Sequence, residues 1–409
     1  MLTTTHPAEV PVYGRLQLQP ERGSGSTIVA ADGRRFLDLY GGHAVAVSGH
    51  CHPRVVAAIR EQAERLLFYS NAVPLESRER LFGLLAEMAP APLDQCFLVN
   101  SGAETNDVAL QLARRTTGRR RILSFEGGFH GRSLATLAVS GIAKYRGLAD
   151  ASGGQSLLDL TVVAPWGRPE LLPALVDESI AAVIVEPVQG LAGAREVGAD
   201  VLRILRKACN DSGAVLIFDE VQCGCGRTGA FTAAQAYGVT PDILTLAKGI
   251  AAGLPMGAVL LSPRVAKQVA QGDLGTTFGG GPMASVAAAA NLEVIRDEGL
   301  AGRARELERR LRRGLADLPS VTTINGRGLM LGLALDRPAR PVQLRLFERG
   351  ILVGSANDPA VIRLLPPLVL SEEEADTFLT TLHEVLALSL IHISEPTRPR
   401  LVSRMPSSA

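Results

Sequence analysis

The chain has 409 residues, 46% of them hydrophobic, which is enough to bury one large core and a second, smaller one. Its 42 basic and 41 acidic residues nearly cancel, so it lacks the positive field that attracts a nucleic-acid backbone or an anionic membrane. We therefore expect two domains, partners that are small molecules or a second copy of the chain, and no nucleic-acid or membrane partner.

The cysteines and the N-terminal residues indicate the cellular compartment in which the protein is expected. Five scattered cysteines leave at least one unpaired, which favours a reducing environment over a disulfide framework. The N-terminal residues lack a basic start followed by an apolar run, and no uncharged stretch has the length of a membrane span. These features predict a soluble, cytoplasmic protein.

In chain order, the first predicted element is a β-hairpin over residues 22–40, with a turn at Asp32-Gly33. From about residue 96, short apolar runs alternate with helix-like segments, a pattern typical of a mostly parallel sheet flanked by helices. The strand candidates are 96–100, 121–125, 181–185, 214–218 and 243–247. Each ends where a polar or glycine-rich group begins, and the carboxyl ends of parallel strands meet at one crevice. We expect a ligand site in that crevice.

The C-terminal part predicts a mixed α+β unit over residues 300–388, which we assign with the hairpin to the smaller domain. Ser371 and Glu374 form a capping box ahead of a helix that runs to about Leu388. The sequence after it resembles read-through of a sequencing adapter. The predicted segments are 1–48 and 296–388 for the smaller domain, 49–295 for the large domain and 389–409 for a non-native or disordered tail.

Lysines are rare, and this narrows the search for amine chemistry to four residues. Lys207 and Lys267 lie in helical surface patterns, where a lysine is usually a solvated charge, and Lys144 lies in a loop. Lys248 directly follows an apolar strand and precedes a glycine-rich segment, so its amine should lie at the mouth of the crevice. Partial desolvation there lowers the pKa of an amine and favours imine formation. Taken alone, a lysine that merely ends a strand is an equally good interpretation.

Asp219 ends another apolar strand, where a carboxylate needs a cationic partner to stay charged. A structural salt bridge is one possible pairing. A protonated pyridine nitrogen is the other, and holding that proton makes the ring an electron sink. Together with Lys248, Asp219 therefore indicates pyridoxal 5′-phosphate as the cofactor, and no metal.

Other groups at the strand ends fit the same cofactor. Ser101, Gly102 and Ala103 open a helix whose free N–H groups and dipole favour a phosphate. Thr277 offers a hydroxyl in a glycine-rich loop, and Phe129 has a ring that can stack on a flat heterocycle.

Two arginines are candidates for binding a substrate carboxylate. Arg132 follows Phe129 closely, and Arg363 lies in an apolar stretch where an unpaired guanidinium is unfavourable. Most arginines of this arginine-rich chain are surface charges, so position rather than residue type supports these two. We interpret His130 as loop packing.

Taken together, these motifs resemble those of the class III (omega) aminotransferases, most closely the acetylornithine type. The resemblance runs from about Gly23 to Leu388. It rests on GHCHP at 49–53, NSGAETND at 100–107, FHGRS at 129–133, EPVQG at 186–190, FDEVQCGCGRTG at 218–229, PDILTLAKG at 241–249 and TTFGG at 276–280. It implies the α/β fold of fold-type-I pyridoxal-phosphate enzymes and a homodimer with active sites at the subunit interface.

The resemblance also implies roles for individual residues. Lys248 would form the imine with the cofactor, Asp219 would contact the ring nitrogen and Gln222 the ring hydroxyl. The remaining implied roles are phosphate binding for Gly102 and Ala103, stacking for Phe129, substrate contact for Arg132 and Thr276, and contact of Thr277 with the phosphate bound mainly by the other subunit.

Three departures from the family pattern concern the choice of substrate. Leu191 stands where relatives usually have a glutamate that pairs with the arginine matching Arg363. Gly281 stands where GGNP is common, and Ala72-Val73 where an aromatic residue is frequent. We expect these changes to affect substrate choice and to leave the cofactor chemistry intact.

The resemblance implies transfer of the terminal amino group of an N-acylated ornithine, first of all N2-acetylornithine, to 2-oxoglutarate in arginine biosynthesis. Omega-aminotransferases of the lysine-pathway, ornithine or 4-aminobutyrate type stay open, as does an aminomutase on the same fold, which needs no 2-oxoglutarate. The intact Lys248 and Asp219 argue against a non-catalytic cofactor-binding regulator. The sequence argues against a Rossmann dehydrogenase, because no strand is followed by G-x-G-x-x-G in a βαβ unit.

Overall fold

The computed structural model describes residues 10, 12 and 14–394. The strands are β1 (Pro20–Ser24), β2 (Thr27–Ala30), β3 (Arg35–Asp38), β4 (Gln95–Val99), β5 (Arg121–Phe125), β6 (Thr161–Ala164), β7 (Ile180–Val185), β8 (Val188–Gln189), β9 (Arg195–Glu196), β10 (Val215–Asp219), β11 (Ile243–Leu246), β12 (Gly257–Leu261), β13 (Val321–Arg327), β14 (Met330–Leu335), β15 (Ile351–Leu352), β16 (Gly354–Ser355) and β17 (Val361–Leu364).

The helices are α1 (Gly41–Ala44), α2 (Pro53–Arg65), α3 (Glu76–Met88), α4 (Gly102–Thr117), α5 (Leu134–Ala138), α6 (Ala143–Ala151), α7 (Gln155–Leu158), α8 (Leu172–Leu175), α9 (Ala199–Ser212), α10 (Ala233–Tyr237), α11 (Pro263–Ala266), α12 (Pro282–Asp297), α13 (Leu300–Ala316), α14 (Ala339–Glu348) and α15 (Glu372–Ser394). Short 3-10 turns lie at Pro169–Leu171 and Lys248–Ile250. Within the described residues, no helix combines the length and the apolar character needed to cross a bilayer.

The central sheet has seven strands in the order β4-β12-β11-β10-β7-β5-β6. β12 runs antiparallel to both neighbours, and the other neighbouring pairs are parallel. All residues of β7, β10, β11 and β12 are buried, as expected for strands whose two faces are both covered. The mostly parallel sheet and its five predicted strands are confirmed. β6 and β12 were not predicted, because short apolar runs do not separate strands from buried helices.

Helix α4 shows how the sequence shapes the site. Ser101 accepts a hydrogen bond from the Glu104 N–H at 3.2 Å, and the Glu104 carboxylate accepts one from the Ser101 N–H at 2.9 Å. This capping box fixes the start of the helix directly after β4. Gly118, with φ at 69°, ends it in a left-handed conformation. The start of α4 is thereby held at the carboxyl end of the sheet.

Two smaller sheets have the orders β1-β2-β3-β15 and β13-β14-β17-β16. The predicted hairpin is confirmed as β2 and β3, with Gly33 at φ 85° in the turn. Because β15 pairs in parallel with β3, segments from both ends of the chain share one sheet. The domain boundaries at residues 48 and 295 stay a prediction.

The last helix, α15, begins with the predicted capping box. The Glu374 N–H donates to Ser371 Oγ at 3.1 Å, and the Ser371 N–H donates to Glu374 Oε2 at 2.8 Å. The helix continues past the expected end near Leu388 to Ser394, since residues 389–394 contain neither proline nor glycine. The part of the predicted tail after Ser394 lies outside the described residues.

Candidate active site

A cavity of about 450 Å³ lies where the segments after β4, β10 and β11 meet. The predicted residues that line it are Ser101, Gly102, Ala103, Phe129, Arg132, Asp219, Gln222, Lys248 and Arg363. Thr276 and Thr277 do not line it. The crevice expected at the carboxyl ends of the parallel strands therefore exists and gathers most of the predicted side chains.

Lys248 lies at the end of β11, with its backbone in a left-handed conformation at φ 40°. Its amine forms no hydrogen bond or ion pair with any residue that the structure describes. Burial lowers the pKa of Lys248, and the positive charge of Arg363 also lowers it. The carboxylates of Asp219 and Glu186 act in the opposite direction but do not outweigh the burial. A lowered pKa raises the fraction of neutral amine, which is the form that attacks a carbonyl.

Asp219 is 3% exposed and is held by three donors. Its Oδ2 accepts hydrogen bonds from Asn106 Nδ2 and from His130 Nδ1, both at 2.8 Å. Its Oδ1 accepts one from the Val221 N–H at 3.1 Å. Since a carboxylate has about four acceptor positions, Asp219 can still accept a further donor from the cavity that it lines.

His130 and Asn106 are functional candidates that sequence reasoning missed. Burial opposes protonation of His130, but the hydrogen bond and the charge of Asp219 outweigh it and raise the pKa of this histidine. Asn106 is oriented by Thr245, whose hydroxyl donates to Asn106 Oδ1 at 2.9 Å. The interpretation of His130 as loop packing is therefore wrong, because its ring supports the carboxylate directly.

The start of α4 fits a phosphate. The N–H groups of Gly102 and Ala103 donate to no group among the described residues. A Cβ at position 102 would lie 2.6 Å from Val221 Cγ1, so only glycine fits there without a shift. These free N–H groups and the dipole of a helix of four turns favour an anion at this end of the cavity.

Phe129 and Glu186 form a connected unit at the cavity wall. The Phe129 N–H donates to Glu186 Oε1 at 2.7 Å, and the Gly190 N–H donates to Glu186 Oε2 at 3.1 Å. The Phe129 ring packs against Tyr145 with centroids 4.8 Å apart. Burial, followed by the charge of Asp219, raises the pKa of Glu186. Glu186 was also missed, although a carboxylate directly after the fully apolar β7 was a readable signal.

Arg132 and Arg363 both line the cavity and lack an acidic partner within the described residues. The Arg132 guanidinium packs over Tyr145, 5.4 Å from the ring centroid. Arg363 is 2% exposed on β17 and donates to the Ser355 carbonyl at 2.5 Å. Burial lowers the pKa of Arg363. An anion from outside the chain would therefore complete the electrostatics of this site.

Gln222 lines the cavity beside Arg363 and contacts it. Its Oε1 accepts a hydrogen bond from Arg363 Nη1 at 3.3 Å. A Cβ at Gly190 would lie 1.9 Å from the same oxygen, so a larger residue there would displace the Gln222 amide from Arg363. This contact differs from the role in which Gln222 meets a ring hydroxyl, and that role stays a prediction.

Thr276 and Thr277 lie in a loop outside the cavity. Thr276 Oγ1 accepts hydrogen bonds from the Gly279 N–H at 3.0 Å and from Asn100 Nδ2 at 3.5 Å. Thr277 is exposed, and the adjacent Phe278 is 64% exposed. Neither threonine lines the cavity of its own chain. The substrate contact of Thr276 and the phosphate contact of Thr277 therefore stay predictions.

The set of groups is therefore a free amine, a hydrogen-bonded carboxylate, a helix start and two arginines around one cavity. This donor set fits an aldehyde-bearing pyridine phosphate and a carboxylate substrate. The family model described as Aminotransferase class-III matches residues 11–386, which is most of the chain. The chain belongs to the class-III aminotransferases. The predicted family and fold are confirmed.

Individual relatives of this class-III aminotransferase cover nearly its whole length. The acetylornithine aminotransferase of Methanocaldococcus jannaschii is 38% identical over 91% of this chain and 94% of its own. The [LysW]-aminoadipate semialdehyde transaminase of Deinococcus radiodurans is 38% identical over 92% of this chain and 87% of its own.

A solved structure extends the similarity to the fold. The ornithine aminotransferase of Toxoplasma gondii, described with partial occupancy of pyridoxal phosphate at its active site, superposes with a TM-score of 0.86 at 29% identity. The match covers 94% of this chain and 92% of that one. Class-III aminotransferases use pyridoxal 5′-phosphate, which confirms the predicted cofactor.

Proposed function

We propose that this class-III aminotransferase moves the terminal amino group of an N-acylated ornithine, first of all N2-acetylornithine, to 2-oxoglutarate. The products are a semialdehyde and glutamate, and the enzyme acts as a homodimer in the cytoplasm. The observation that carries the proposal is the pair of arginines, Arg132 and Arg363, on the cavity that also holds Lys248.

Two unpaired cations on one cavity favour a substrate with two carboxylates. Arg132 has no hydrogen-bond partner among the described residues, and Arg363 donates only to neutral acceptors there. A five-carbon oxo-dicarboxylate supplies one anion to each guanidinium, and such charge-assisted bonds are the strong ones in proteins. The donor has one carboxylate, and acylation turns its second amine into a neutral amide. The name of the M. jannaschii relative supports this donor class.

The residues of the chain would divide the work as follows. Gly102 and Ala103 would bind the phosphate through their N–H groups, and Phe129 would stack on the ring. Asp219 would keep the ring nitrogen protonated, and His130 and Asn106 hold Asp219 in place. When bound, the cofactor supplies an aldehyde for covalent attachment and a cationic ring that withdraws electrons.

Lys248 has two tasks. Its amine would be the attachment point for the cofactor aldehyde. The same nitrogen, once free, would accept the proton from the carbon that bears the transferred amino group. The lowered pKa suits a proton acceptor that works near neutral pH. Asp219 favours this proton removal by keeping the ring cationic.

A homodimer would explain the loop with Thr276 and Thr277. Side chains near this loop form an exposed apolar surface: Leu66, Leu67, Phe68, Tyr69 and Phe278. The Phe68 and Phe278 rings pack 5.3 Å apart and so make this surface continuous. A contiguous exposed apolar surface favours a protein partner, and a second copy would bring Thr277 to the phosphate of the opposite site.

A lysine-pathway donor is the second candidate function. The name of the D. radiodurans relative, at the same identity as that of the first relative, supports it. The amino-acid parts of the two donors differ in length by one methylene, a difference that a pocket discriminates only by about 10- to 200-fold. Rates with both donors are therefore required.

The test adds candidate donors to purified holoenzyme and follows the visible absorbance of the bound cofactor in a single half-reaction. N2-acetylornithine should change the absorbance fastest, ahead of ornithine, 4-aminobutyrate and an N-acylated lysine. Lys248→Ala should show no such change. Stoichiometric consumption of 2-oxoglutarate then separates an aminotransferase from an aminomutase. A faster change with any other donor, or turnover without 2-oxoglutarate, would refute the proposed function.

A further inference from the structure

The turn at α1 has an unusual backbone. Gly41, Gly42, His43 and Ala44 all have positive φ, between 55° and 68°. The Asp38 carboxylate holds the entry to this turn by accepting hydrogen bonds from the Tyr40 and Gly41 N–H groups, each at 2.9 Å. A left-handed conformation is unfavourable for histidine and alanine, and such conformations cluster at functional sites.

The turn brings His43 to the wall of the cavity. His43 Nδ1 lies 2.5 Å from the Tyr40 hydroxyl, and Arg363 Nη2 donates to the same hydroxyl at 3.3 Å. The Arg363 guanidinium also lies 5.8 Å from the centroid of the Tyr40 ring. Tyr40 therefore connects the buried arginine to the histidine.

The hydrogen-bond donors among these three residues determine which atoms of Tyr40 and His43 carry a proton. Arg363 has only donors, so the Tyr40 oxygen accepts from it and the Tyr40 proton must go to another acceptor. Within the described residues, His43 Nδ1 is the acceptor in reach. The proton of a neutral His43 then lies on Nε2, which has no partner among the described residues. Burial and the charges of Arg363 and Lys248 lower the pKa of His43 and so favour the neutral ring.

Arg363 is left as a buried cation whose hydrogen-bond partners are all neutral, although the charge of Glu186 acts on it without an ion pair. Tyr40, Gln222 and Ser355 contribute only a hydroxyl, an amide oxygen and a backbone carbonyl. Leu191, on the same cavity, adds no charge. A carboxylate that enters here gains the full attraction of the guanidinium and can also accept the free N–H of His43.

We propose that Tyr40 and His43 determine specificity for the substrate carboxylate that Arg363 binds: His43 donates to it through Nε2, and Tyr40 positions both Arg363 and His43. This inference rests on the proposed function and refines its carboxylate site. His43 contacts the substrate, whereas Tyr40 is a positioning residue.

The test compares two variants of His43. His43→Asn tolerates a left-handed backbone but lacks a donor at the Nε2 position, while His43→Gln carries an amide N–H to about that reach. The probe is glutarate, an unreactive five-carbon dicarboxylate, and calorimetry on holoenzyme gives its Kd. His383→Asn is the matched control, because His383 is exposed on α15. Melting temperature and the visible absorbance of the cofactor report on the fold and on cofactor loading.

His43→Asn should raise the glutarate Kd and the KM for 2-oxoglutarate about tenfold, the worth of one hydrogen bond to a charged group. His43→Gln should stay within about threefold of wild type, and Tyr40→Phe should weaken glutarate as His43→Asn does. An unchanged Kd in His43→Asn would overturn the inference, as would a loss accompanied by reduced cofactor absorbance. Failure of the proposed function would appear separately, as the inertness of N2-acetylornithine towards wild-type holoenzyme.

Discussion

His130 Nδ1 lies 2.8 Å from Asp219 Oδ2, and the side chains of both residues are almost fully buried. The contact joins the loop after β5 to the last residue of β10. It places a hydrogen-bond donor behind the carboxylate that we propose for the ring nitrogen of the cofactor. His130 therefore acts as a positioning residue for Asp219.

Replacing His130 by Phe should weaken cofactor binding and slow the donor half-reaction, each by about tenfold or more, since a hydrogen bond to a charged group is lost. Absorbance titration with cofactor and stopped-flow mixing with donor measure the two effects. His52→Phe is the control, because His52 bonds to Glu298 at 3.1 Å outside the cavity and should change neither quantity. Wild-type affinity and rate in His130→Phe would show that Asp219 needs no such support.

The raised pKa of His130 also predicts a pH dependence of stability in the cofactor-free protein. A histidine whose folded pKa exceeds its unfolded pKa of about 6.5 stabilises the fold fully below that pH. The contribution disappears as pH rises through the folded pKa. The difference in free energy of unfolding between wild type and His130→Phe, from urea titrations, should therefore shrink above about pH 6.5. A constant or growing difference would contradict the raised pKa.

Leu191 leaves Arg363 without a competing carboxylate. Leu191→Glu should place a carboxylate on the cavity that competes with 2-oxoglutarate for Arg363. The KM for 2-oxoglutarate should then rise about tenfold or more, which corresponds to a competing interaction of about 1.4 kcal/mol. Leu191→Gln has nearly the same shape without the charge and should change the KM much less. Steady-state kinetics with each substrate measures this. Unchanged affinity for both 2-oxoglutarate and donor in Leu191→Glu would refute the role given to this position.

The proposed sharing of active sites between two subunits predicts complementation between two defective chains. Lys248→Ala should be inactive, and Thr277→Ala should bind the cofactor more weakly. In a mixed dimer, one site receives Lys248 from one chain and Thr277 from the other, both intact. Refolding an equal mixture should therefore restore activity at limiting cofactor above the mean of the two variants. No gain on mixing, with dimers present by gel filtration, would show that Thr277 does not act across the interface.

Much of this site could be read from the sequence, because strand-end residues project to one edge of a parallel sheet. Lys248, Asp219 and the start of α4 were found in this way, from polar residues that directly follow apolar runs. The same rule should have selected Glu186, which follows β7.

His130, Tyr40 and His43 could not be found by that rule. The link of His130 to Asp219 joins residues far apart in sequence, and only the packing of the loop after β5 against the end of β10 brings them together. Tyr40 and His43 depend on a left-handed turn, and only Gly41 and Gly42 hint at it in the sequence. Strand β12 was missed because a short apolar run does not separate a strand from a buried helix segment. Its antiparallel direction is not encoded in the local sequence.

The attachment of the cofactor to Lys248 is the central claim, and the scarcity of lysines makes it directly measurable. Holoenzyme is treated with borohydride, digested and analysed by mass spectrometry, with Lys248→Ala as the control. The mass of the reduced cofactor should appear on the peptide with Lys248 and on none with Lys144, Lys207 or Lys267, and the variant should lack it. An unmodified Lys248 peptide from fully loaded enzyme would contradict the account.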